Sequence, residues 1–390
     1  MGKRVGMEVS IAAAEAVKQA NVDVISAYPI TPQTHIVEHL SELVANGEFD
    51  AEFFCVESEH SALSVCVGAA ATGARTFTCT SSQGLALMSE ITYIASGLRL
   101  PILMIISNRT LSAPLSIWND HSDAMSIRDC GWIQFFVENG QEVYDHVFVG
   151  YRLGEDRNVL FPVIINMDGF ILSHVIEPFE LIEQEKIDQF LPPYQPVHRL
   201  HPDRPVTMGA FALPSIFAET KKAQEEAIRS SIPKILETWK AFGDMTGRYY
   251  HPIETYQAED ADTLLVTMGS CGETASVAVD KMQEEGKSVG LVKIRLWRPF
   301  PFEAFKEATL HSKQLVVIDR AISVGACGPV AAELKAALYG EAQRPSVYNF
   351  VAGISGRDVT PSDFIKMVDK AEIEIEKGNK EGYEIYGVRG

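Results

Sequence analysis

Apolar segments of strand length alternate with helical segments through roughly the first 170 residues of the chain. Several of these segments are apolar almost throughout, which is typical of strands buried on both faces of a parallel sheet. The alternation predicts an α/β domain built on a doubly wound parallel sheet. The predicted strands are 22–28, 51–57, 75–80, 100–107 and 158–168, and the predicted helices between them are 34–46, 59–72, 84–97 and 141–154.

A second α/β unit is predicted closer to the C-terminus. Its predicted strands are 263–269, 289–295, 314–320 and 346–353, and its predicted helices are 272–286 and 328–339. A Pro-rich extended stretch and one charged amphipathic helix, 215–242, precede this unit. We therefore divide the chain into a first domain (1–177), a connector (178–261), a second domain (262–365) and a charged, peripheral tail (366–390).

The composition excludes two classes of partner. The formal charge of −18 disfavours nucleic acids and anionic membrane surfaces, since both reward clustered Lys and Arg. No apolar run is long enough to suggest a membrane span. Charged residues interrupt the N-terminal apolar stretch at helical spacing, so an amphipathic helix is a better interpretation than a signal peptide. We expect a cytoplasmic protein.

The cysteines do not form a cluster-binding pattern. Six are scattered along the chain and no CxxC pair occurs. Iron–sulfur clusters and structural zinc sites need several converging thiolates, usually from closely spaced pairs. We therefore expect reduced, buried thiols, no metal site in this chain, and electron carriers on other chains.

Two candidate site segments follow the first two predicted strands, at the edge of the sheet where open α/β folds bind ligands. Thr31 lies in a turn stiffened by Pro29 and Pro32, and could serve either as a ligand contact or as part of a helix cap. Glu59 opens a helix that is rich in small residues. Its carboxylate could be an ordinary helix-dipole partner or, in a low-dielectric setting, a strong hydrogen-bonding group.

Two further segments follow the next two strands. Ser82 and Gln83 begin a helix whose free N–H groups could bind an anion or a polar ring, and Asn108 precedes Arg109, which could grip a carboxylate. In the long loop after Arg109, the residues 120–123 include two aspartates and a histidine. We prefer structural hydrogen bonding to a metal site there, because the loop offers no fixed face.

Taken in order, these segments resemble the signature segments of the 2-oxoacid:ferredoxin oxidoreductase family, in particular the alpha subunits of its multi-subunit pyruvate enzymes. The resemblance continues through the second unit and so covers nearly the whole chain. The segments are YPITPQT (28–34), ESEHSA (57–62), TSSQGLALM (80–88), NRTLSAPLSIWNDHSD (108–123), RDCGWIQ (128–134), DGFILSH (168–174), LPPY (191–194), GSCGETA (269–275), RLWRPFPFE (295–303), VIDRAIS (317–323) and GISGRDVT (353–360).

The resemblance implies a thiamine-diphosphate-binding first domain and a second domain like the C-terminal domain of transketolase. It implies that the cofactor is shared with a beta subunit, which holds the pyrophosphate and Mg²⁺ through a GDG-type motif that this chain lacks. Further gamma and ferredoxin-like delta subunits would carry 4Fe–4S clusters. The implied reaction is the oxidative decarboxylation of a 2-oxo acid, with coenzyme A taking the acyl group and ferredoxin or an NAD-reducing module taking the electrons.

The resemblance also implies residue roles. Glu59 would contact N1′ of the aminopyrimidine ring and so promote removal of the thiazolium C2 proton. Thr31 and Arg109 would hold the 2-oxo acid, with Arg109 pairing its carboxylate. The remaining cofactor contacts are expected from Pro29, Ser82, Gln83 and Asn108.

Two positions depart from the family pattern and bear on the substrate. Ser89 stands where a bulkier residue is expected, and Cys327 lies in a segment that is glycine-rich in related chains. A smaller residue near the cofactor helix could enlarge the pocket for an acid such as phenylglyoxylate, although pyruvate ranks first. Two rival interpretations are a self-contained transketolase-like enzyme, which would need its own diphosphate motif, and a non-catalytic scaffold subunit.

Overall fold

The computed structural model describes residues 3–379 and 382–389. Two parallel sheets, each flanked by helices, confirm the predicted α/β class. The elements before the connector are β1 (Arg4–Glu8), α1 (Val9–Gln19), β2 (Val24–Ala27), α2 (Thr34–Ala45), β3 (Glu52–Cys55), α3 (Glu59–Thr72), β4 (Thr76–Thr80), α4 (Ser82–Gly97), β5 (Ile102–Asn108), α5 (Ser122–Ser126), β6 (Ile133–Phe136), α6 (Gly140–Gly154), β7 (Val163–Asp168) and β8 (Ile176–Glu180).

The first sheet has seven strands in the order β6, β7, β5, β4, β2 and β3, with one further strand beside β6. The apolar segments identified in the sequence form its interior, and β4, β5 and β7 are buried at every position. Helices cover both faces, as strands without a polar face require. Strands β1 and β8 were not predicted; they pair antiparallel in a separate ribbon.

The connector contains two long helices where the sequence predicted one. After α7 (Gln184–Phe190), α8 (Pro214–Arg229) and α9 (Ile232–Thr246) are separated at Ser230 and Ser231. Pro233 cannot donate a backbone hydrogen bond, so it fits the first turn of a new helix better than the middle of a continuous one. Helix α8 is largely exposed, whereas α9 buries Trp239 and Phe242 against the core of the first unit.

The second unit is built on a six-stranded sheet. Its elements are β9 (Ile253–Tyr256), β10 (Thr263–Met268), α10 (Cys271–Glu284), β11 (Val289–Ile294), β12 (Leu296–Arg298), α11 (Phe302–Thr309), β13 (Gln314–Asp319), α12 (Pro329–Leu338), β14 (Ser346–Val351), a 3-10 helix (Ile354–Gly356), α13 (Pro361–Glu376) and β15 (Tyr383–Ile385). The strand order is β15, β14, β13, β10, β11, β9, and only β9 runs antiparallel to its neighbour.

The end of the chain belongs to this second unit. Helix α13 buries Phe364, Met367 and Val368 in its core, and β15 extends its sheet. The predicted limit at residue 365 therefore falls inside a helix, which is amphipathic and ends at Glu376. The division into domains stays a prediction.

The two units share a strand and several ion pairs. Strand β12 leaves the second unit and pairs antiparallel with β6 at the edge of the first sheet. Nearby, Lys293 contacts both oxygens of Glu138 at 2.9 Å, and Arg295 contacts Glu142 at 2.5 Å. Because these charges are half-buried or buried, their pairing holds the two units together.

The thiols and helices bear on two further expectations. Cys66, Cys79 and Cys130 are buried, and burial raises the pKa of the Cys66 and Cys130 thiols to about 12. The expectation of burial is wrong for Cys55, which is exposed at the end of β3.

Within residues 3–379 and 382–389, none of the helices has both the length and the apolar character needed to cross a bilayer.

Candidate active site

The four candidate segments meet at one edge of the first sheet. Strands β2, β3, β4 and β5 run parallel, so the residues that follow them emerge on the same side. Thr31 follows β2, Glu59 opens α3 after β3, and Arg109 directly follows β5. The edge therefore brings together the side chains that the sequence singled out.

Arg109 and Thr31 are in direct contact. The Nη1 atom of Arg109 donates a hydrogen bond to the backbone carbonyl of Thr31 at 2.9 Å, and its Nε atom donates to the carbonyl of Ser116 at 2.9 Å. Thr31 is exposed at this edge. The turn at Thr31 and the start of the long loop thus hold the guanidinium between them.

The charge of Arg109 is not neutralised by an acidic side chain of the described residues. Arg109 is only 7 % exposed, and the two hydrogen bonds of its side chain go to neutral carbonyl groups. Burial lowers the pKa of its guanidinium, and the charge of Asp123 opposes this effect in part. A buried cation without an ion pair favours an incoming anion.

Asp123 organises the backbone beneath this arginine. Its Oδ2 atom accepts hydrogen bonds from the backbone N–H of Ser82 at 3.0 Å and of Arg109 at 2.9 Å. Its Oδ1 atom accepts from Asn108 Nδ2 at 3.0 Å. One buried carboxylate therefore joins the ends of β4 and β5. Nothing in the sequence marked Asp123 beyond its place in the loop 120–123.

The polar groups of residues 120–123 make hydrogen bonds within the protein, and the choice against a metal site there stays a prediction. Asp120 accepts from the backbone N–H of Ser122 at 2.9 Å, and His121 Nε2 lies 2.7 Å from Asp168 Oδ1. Together with the bonds to Asp123, these contacts use the loop's polar groups within the protein. The loop is therefore a folded support for the segment that begins at Arg109.

Ser82 and Asn108 face inward. Both are fully buried; the Ser82 hydroxyl lies 2.5 Å from the carbonyl of Thr110, and Asn108 Nδ2 also contacts Asn166 Oδ1 at 3.1 Å. Ser82 has a φ of 47°, which is uncommon for a residue with a side chain. Their contact with a cofactor stays a prediction, and the geometry gives them a supporting role beneath the edge.

The carboxylate of Glu59 packs against a glycine of the neighbouring helix. Glu59 is 7 % exposed at the first position of α3, and Ser58 caps this helix by accepting a hydrogen bond from the Ser61 N–H. A Cβ atom built at Gly84 would lie 2.6 Å from Glu59 Oε1 and 2.5 Å from Thr80 Oγ1. Gly84 is therefore required for α3 and α4 to approach closely around this carboxylate.

The remaining candidates lie at the rim. Pro29 is exposed next to Tyr28, whose carbonyl accepts a hydrogen bond from Gln33 Nε2 at 2.8 Å. Gln83 is half-buried, and its Oε1 atom lies 2.6 Å from the Ser82 hydroxyl. Pro29 and Gln83 can thus contact a molecule bound at the edge without any change in the fold.

Sequence reasoning missed a buried network that connects this edge to the second unit. Asp168, at the end of β7, contacts Arg320 Nη1 at 2.8 Å and also accepts from the N–H and hydroxyl of Ser270. The only sequence signal was that these residues lie at predicted strand ends, like the candidates. Asp168 and Arg320 fall within matched motifs, but no role was expected for them.

Comparisons with known proteins show which family the chain belongs to. A family model described as pyruvate flavodoxin/ferredoxin oxidoreductase, thiamine diP-binding, matches residues 15–238. A second, pyruvate:ferredoxin oxidoreductase core domain II, matches residues 261–364. The chain belongs to the 2-oxoacid:ferredoxin oxidoreductase family. The resemblance inferred from the sequence motifs is thereby confirmed.

Named relatives of the family are similar over almost their whole length. The pyruvate synthase subunit PorA of Pyrococcus furiosus is 47 % identical over 376 residues, covering 96 % of this chain and 95 % of that protein. The PorA subunit of Thermotoga maritima is 45 % identical, with 95 % and 94 % covered. The ketoisovalerate oxidoreductase subunit VorA of Pyrococcus horikoshii is 44 % identical, with 94 % and 93 % covered.

Solved structures share the fold at low sequence identity. The 2-oxoglutarate:ferredoxin oxidoreductase of Magnetococcus marinus, with 2-oxoglutarate, coenzyme A and succinyl-CoA bound, superposes with a TM-score of 0.69 at 20 % identity. The match covers 95 % of this chain, which spans 65 % of the length of that protein's chain. A split-gene transketolase in an inactive tetramer gives a TM-score of 0.54 at 14 % identity, covering 94 % and 98 %.

The buried carboxyl group of Asp123 predicts a pH-dependent stability. Burial raises its pKa to about 6, although the N–H groups of Arg109 and Ser82 oppose the shift. Since the folded state then holds the proton more tightly than the unfolded chain, the stability contributed by this group is present below about pH 4 and is lost as the pH rises through about 6.

We expect the unfolding free energy of the native protein to fall by about 3 kcal/mol more than that of Asp123→Asn between about pH 4 and pH 7. Urea denaturation of both proteins across this range measures the difference. Near-ultraviolet circular dichroism at the lowest pH serves as the control that both are folded. Parallel pH profiles would show that the carboxyl group titrates as it does in the unfolded chain.

Proposed function

We propose that this chain is the alpha subunit of a thiamine-diphosphate-dependent enzyme that oxidatively decarboxylates a 2-oxo acid to an acyl-CoA and CO₂. The observation that carries the proposal is Arg109, a buried cation with no ion pair among the described residues, held beside Thr31 at the ligand-binding edge. A 2-oxo acid has a carboxylate that such a guanidinium can bind through two parallel hydrogen bonds.

The residues at the edge fit the pyrimidine half of thiamine diphosphate. Glu59 is buried at the first position of α3, and the lack of a Cβ atom at Gly84 lets its carboxylate lie against α4 at this edge. When bound, the cofactor supplies a nucleophilic carbon and takes up the electron pair released with CO₂. Glu59 would hold a proton at N1′ of the aminopyrimidine ring, and its burial would strengthen that hydrogen bond.

Arg109 and Thr31 would orient the substrate. The fixed guanidinium would bind the carboxylate, and the Thr31 hydroxyl would face the 2-oxo group. Both hydrogen bonds of the Arg109 side chain go to backbone carbonyls, so the charge stays available to the substrate while its position is fixed. This arrangement would orient the group that leaves as CO₂.

Other chains would complete the active site. We infer a beta subunit that holds the pyrophosphate and Mg²⁺, because this sequence has no GDG-type motif. Gamma and ferredoxin-like delta subunits would carry 4Fe–4S clusters, since none of the six cysteines occurs in a closely spaced pair. Ferredoxin or an NAD-reducing module would accept the electrons. The cytoplasmic location remains a prediction.

Pyruvate is the substrate we propose, ahead of a larger acid. Relatives that are 43–48 % identical are named pyruvate synthase subunits, and another is named a ketoisovalerate oxidoreductase subunit. The argument for phenylglyoxylate depended on Ser89, which lies five residues beyond Gly84 on α4. At about 100° per residue, that spacing turns Ser89 away from the side that faces Glu59, so it gives little support for a wider pocket. The other departure from the family pattern, Cys327, lies before α12 in the second unit and not on α4.

The function requires the Glu59 carboxylate. In the complex assembled with its partner subunits, we expect Glu59→Gln to lower the turnover number with pyruvate by at least about 10²-fold, because the amide cannot replace the acid in proton transfer. Glu185→Gln, in the exposed first turn of α7, is the matched control and should retain full activity. Unchanged turnover in Glu59→Gln would instead support a non-catalytic scaffold subunit.

The function also requires the planar guanidinium of Arg109, which can donate two parallel hydrogen bonds to one carboxylate. We expect Arg109→Lys to raise the KM for pyruvate by about 10- to 100-fold, because an ammonium group keeps the charge but loses the bidentate geometry. Steady-state rates at several pyruvate concentrations measure this, and the KM for coenzyme A is the internal control. A normal KM for pyruvate would exclude Arg109 as the carboxylate-binding group.

The size of the substrate pocket is tested by comparing the rates with a small and a large 2-oxo acid. We expect kcat/KM for pyruvate to exceed that for phenylglyoxylate by more than about 10-fold, since a pocket shaped for a methyl group excludes a phenyl ring. Both acids are assayed with the same complex and electron acceptor. A preference for phenylglyoxylate would reverse the order proposed here.

A further inference from the structure

The loop that follows Arg109 carries the carbonyl group that fixes this arginine. Between β5 and α5 the chain forms no regular secondary structure, and Arg109 Nε donates to the carbonyl of Ser116 within this loop. Leu115 is 74 % exposed and Trp118 is 51 % exposed, so the loop is not anchored by burial of these apolar side chains. Hydrogen bonds within the loop and contacts with another part of the protein hold it instead.

The 3-10 segment of the second unit supplies the first such contact. The hydroxyl groups of Ser355 and Ser116 lie 2.5 Å apart. Ser116 thus binds Arg109 through its carbonyl and Ser355 through its side chain. Two hydrogen bonds connect a residue of the second unit, more than 200 positions away in sequence, to the guanidinium at the first sheet.

Next to this contact, the two backbones approach each other closely. The Gly356 N–H donates to the carbonyl of Asn119 at 2.6 Å. A Cβ atom at Gly356 would lie 2.8 Å from Trp118 Cβ, and the φ of Gly356 is 70°. Only glycine meets both conditions without displacement of the loop.

The backbone at Ser355 points to a role for its hydroxyl. Ser355 has φ 53° and ψ 44°, a left-handed conformation that glycine adopts more readily than serine. A residue with a side chain at such a position keeps a backbone strain that glycine would relieve. In return, the hydroxyl group of Ser355 makes a hydrogen bond with Ser116 that glycine could not make.

The far end of the loop is held by the second unit as well. The His121 N–H donates to the carbonyl of Arg320 at 2.7 Å, and the side chains of both residues contact Asp168. The loop is therefore attached to the second unit at Ser116, at Asn119 and at His121. These attachments leave the start of the loop, at Arg109, little freedom to move.

We propose that Ser355 is a positioning residue for substrate binding, and that the second unit holds Arg109 in place through the Ser355–Ser116 hydrogen bond. This inference rests on the proposed function of Arg109. Ser355 does not touch the substrate; it fixes the carbonyl of Ser116, which fixes the guanidinium. The carboxylate of a 2-oxo acid then meets a cation whose direction is set before binding.

The test uses the complete complex and two variants that remove the same hydrogen bond from opposite sides. Ser355→Gly suits the left-handed backbone and deletes one hydroxyl, and Ser116→Ala deletes the other. We expect each to raise the KM for pyruvate by about 3- to 10-fold with kcat changed by less than about twofold. Ser116→Ala also removes a longer contact, 3.3 Å, from the Trp118 N–H to the Ser116 hydroxyl, so the double variant should be no worse than Ser116→Ala alone.

Controls separate positioning from a general loss of structure. Ser312→Ala removes a buried hydroxyl of the second unit that bonds only within its own turn, and its KM for pyruvate should be unchanged. Ser116→Thr keeps a hydroxyl and should restore a KM close to the native value. The KM for coenzyme A should be the same in all variants.

The outcomes distinguish this inference from the proposed function. If Arg109→Lys raises the KM for pyruvate while Ser355→Gly and Ser116→Ala leave it within twofold of native, the positioning role is wrong and the function of Arg109 stands. Additive effects in the double variant would also overturn the positioning role. If Arg109→Lys itself has no effect, the proposed function fails first.

Discussion

One buried carboxylate, that of Asp168, contacts both α/β units of this protein and the loop that follows Arg109, in addition to the ion pairs of Glu138 and Glu142. Burial would raise the pKa of this group, but the charges of Arg320 and His121 hold it well below its usual range. A buried charge is tolerated only when it is paired and hydrogen-bonded, and Asp168 obtains its partners from both units. The second unit supplies Arg320 and Ser270, and the loop of the first unit supplies Asn119 and His121. The relative position of the units and the path of the loop are therefore fixed by the same group.

Much of the fold could be predicted from hydrophobic patterning. Every predicted strand lies over an observed one, because strands buried on both faces are continuously apolar. The errors concern elements that the hydrophobic pattern of the sequence does not mark clearly. The strand β6 and its partner β12, of four and three residues, were not predicted, and they pair with each other across the two units. Helix α13 was interpreted as a charged tail because its buried stripe is narrow and its exposed face carries the charges.

The site was predictable in its location more than in its contacts. Parallel strands bring the residues after their carboxyl ends together, so Thr31, Glu59 and Arg109 could be expected on one edge. The direction of each side chain depends on partners that are remote in sequence. Ser82 turns inward because its hydroxyl donates to the carbonyl of Thr110, and Asn108 because its amide donates to Asp123. No local pattern distinguishes a serine that faces a cofactor from one that faces a carbonyl of the next loop.

The pairing of β12 with the first sheet has a consequence for folding during synthesis of the chain. The first sheet is closed at one edge by residues 296–298, so a nascent chain that stops short of them leaves β6 with unpaired N–H and C=O groups. Synthesis of the connector and of the second unit as far as β12 must precede the covering of that edge. During that interval the half-built protein offers a template for strand pairing with other chains, and an early encounter with a chaperone or a cognate subunit would shield it.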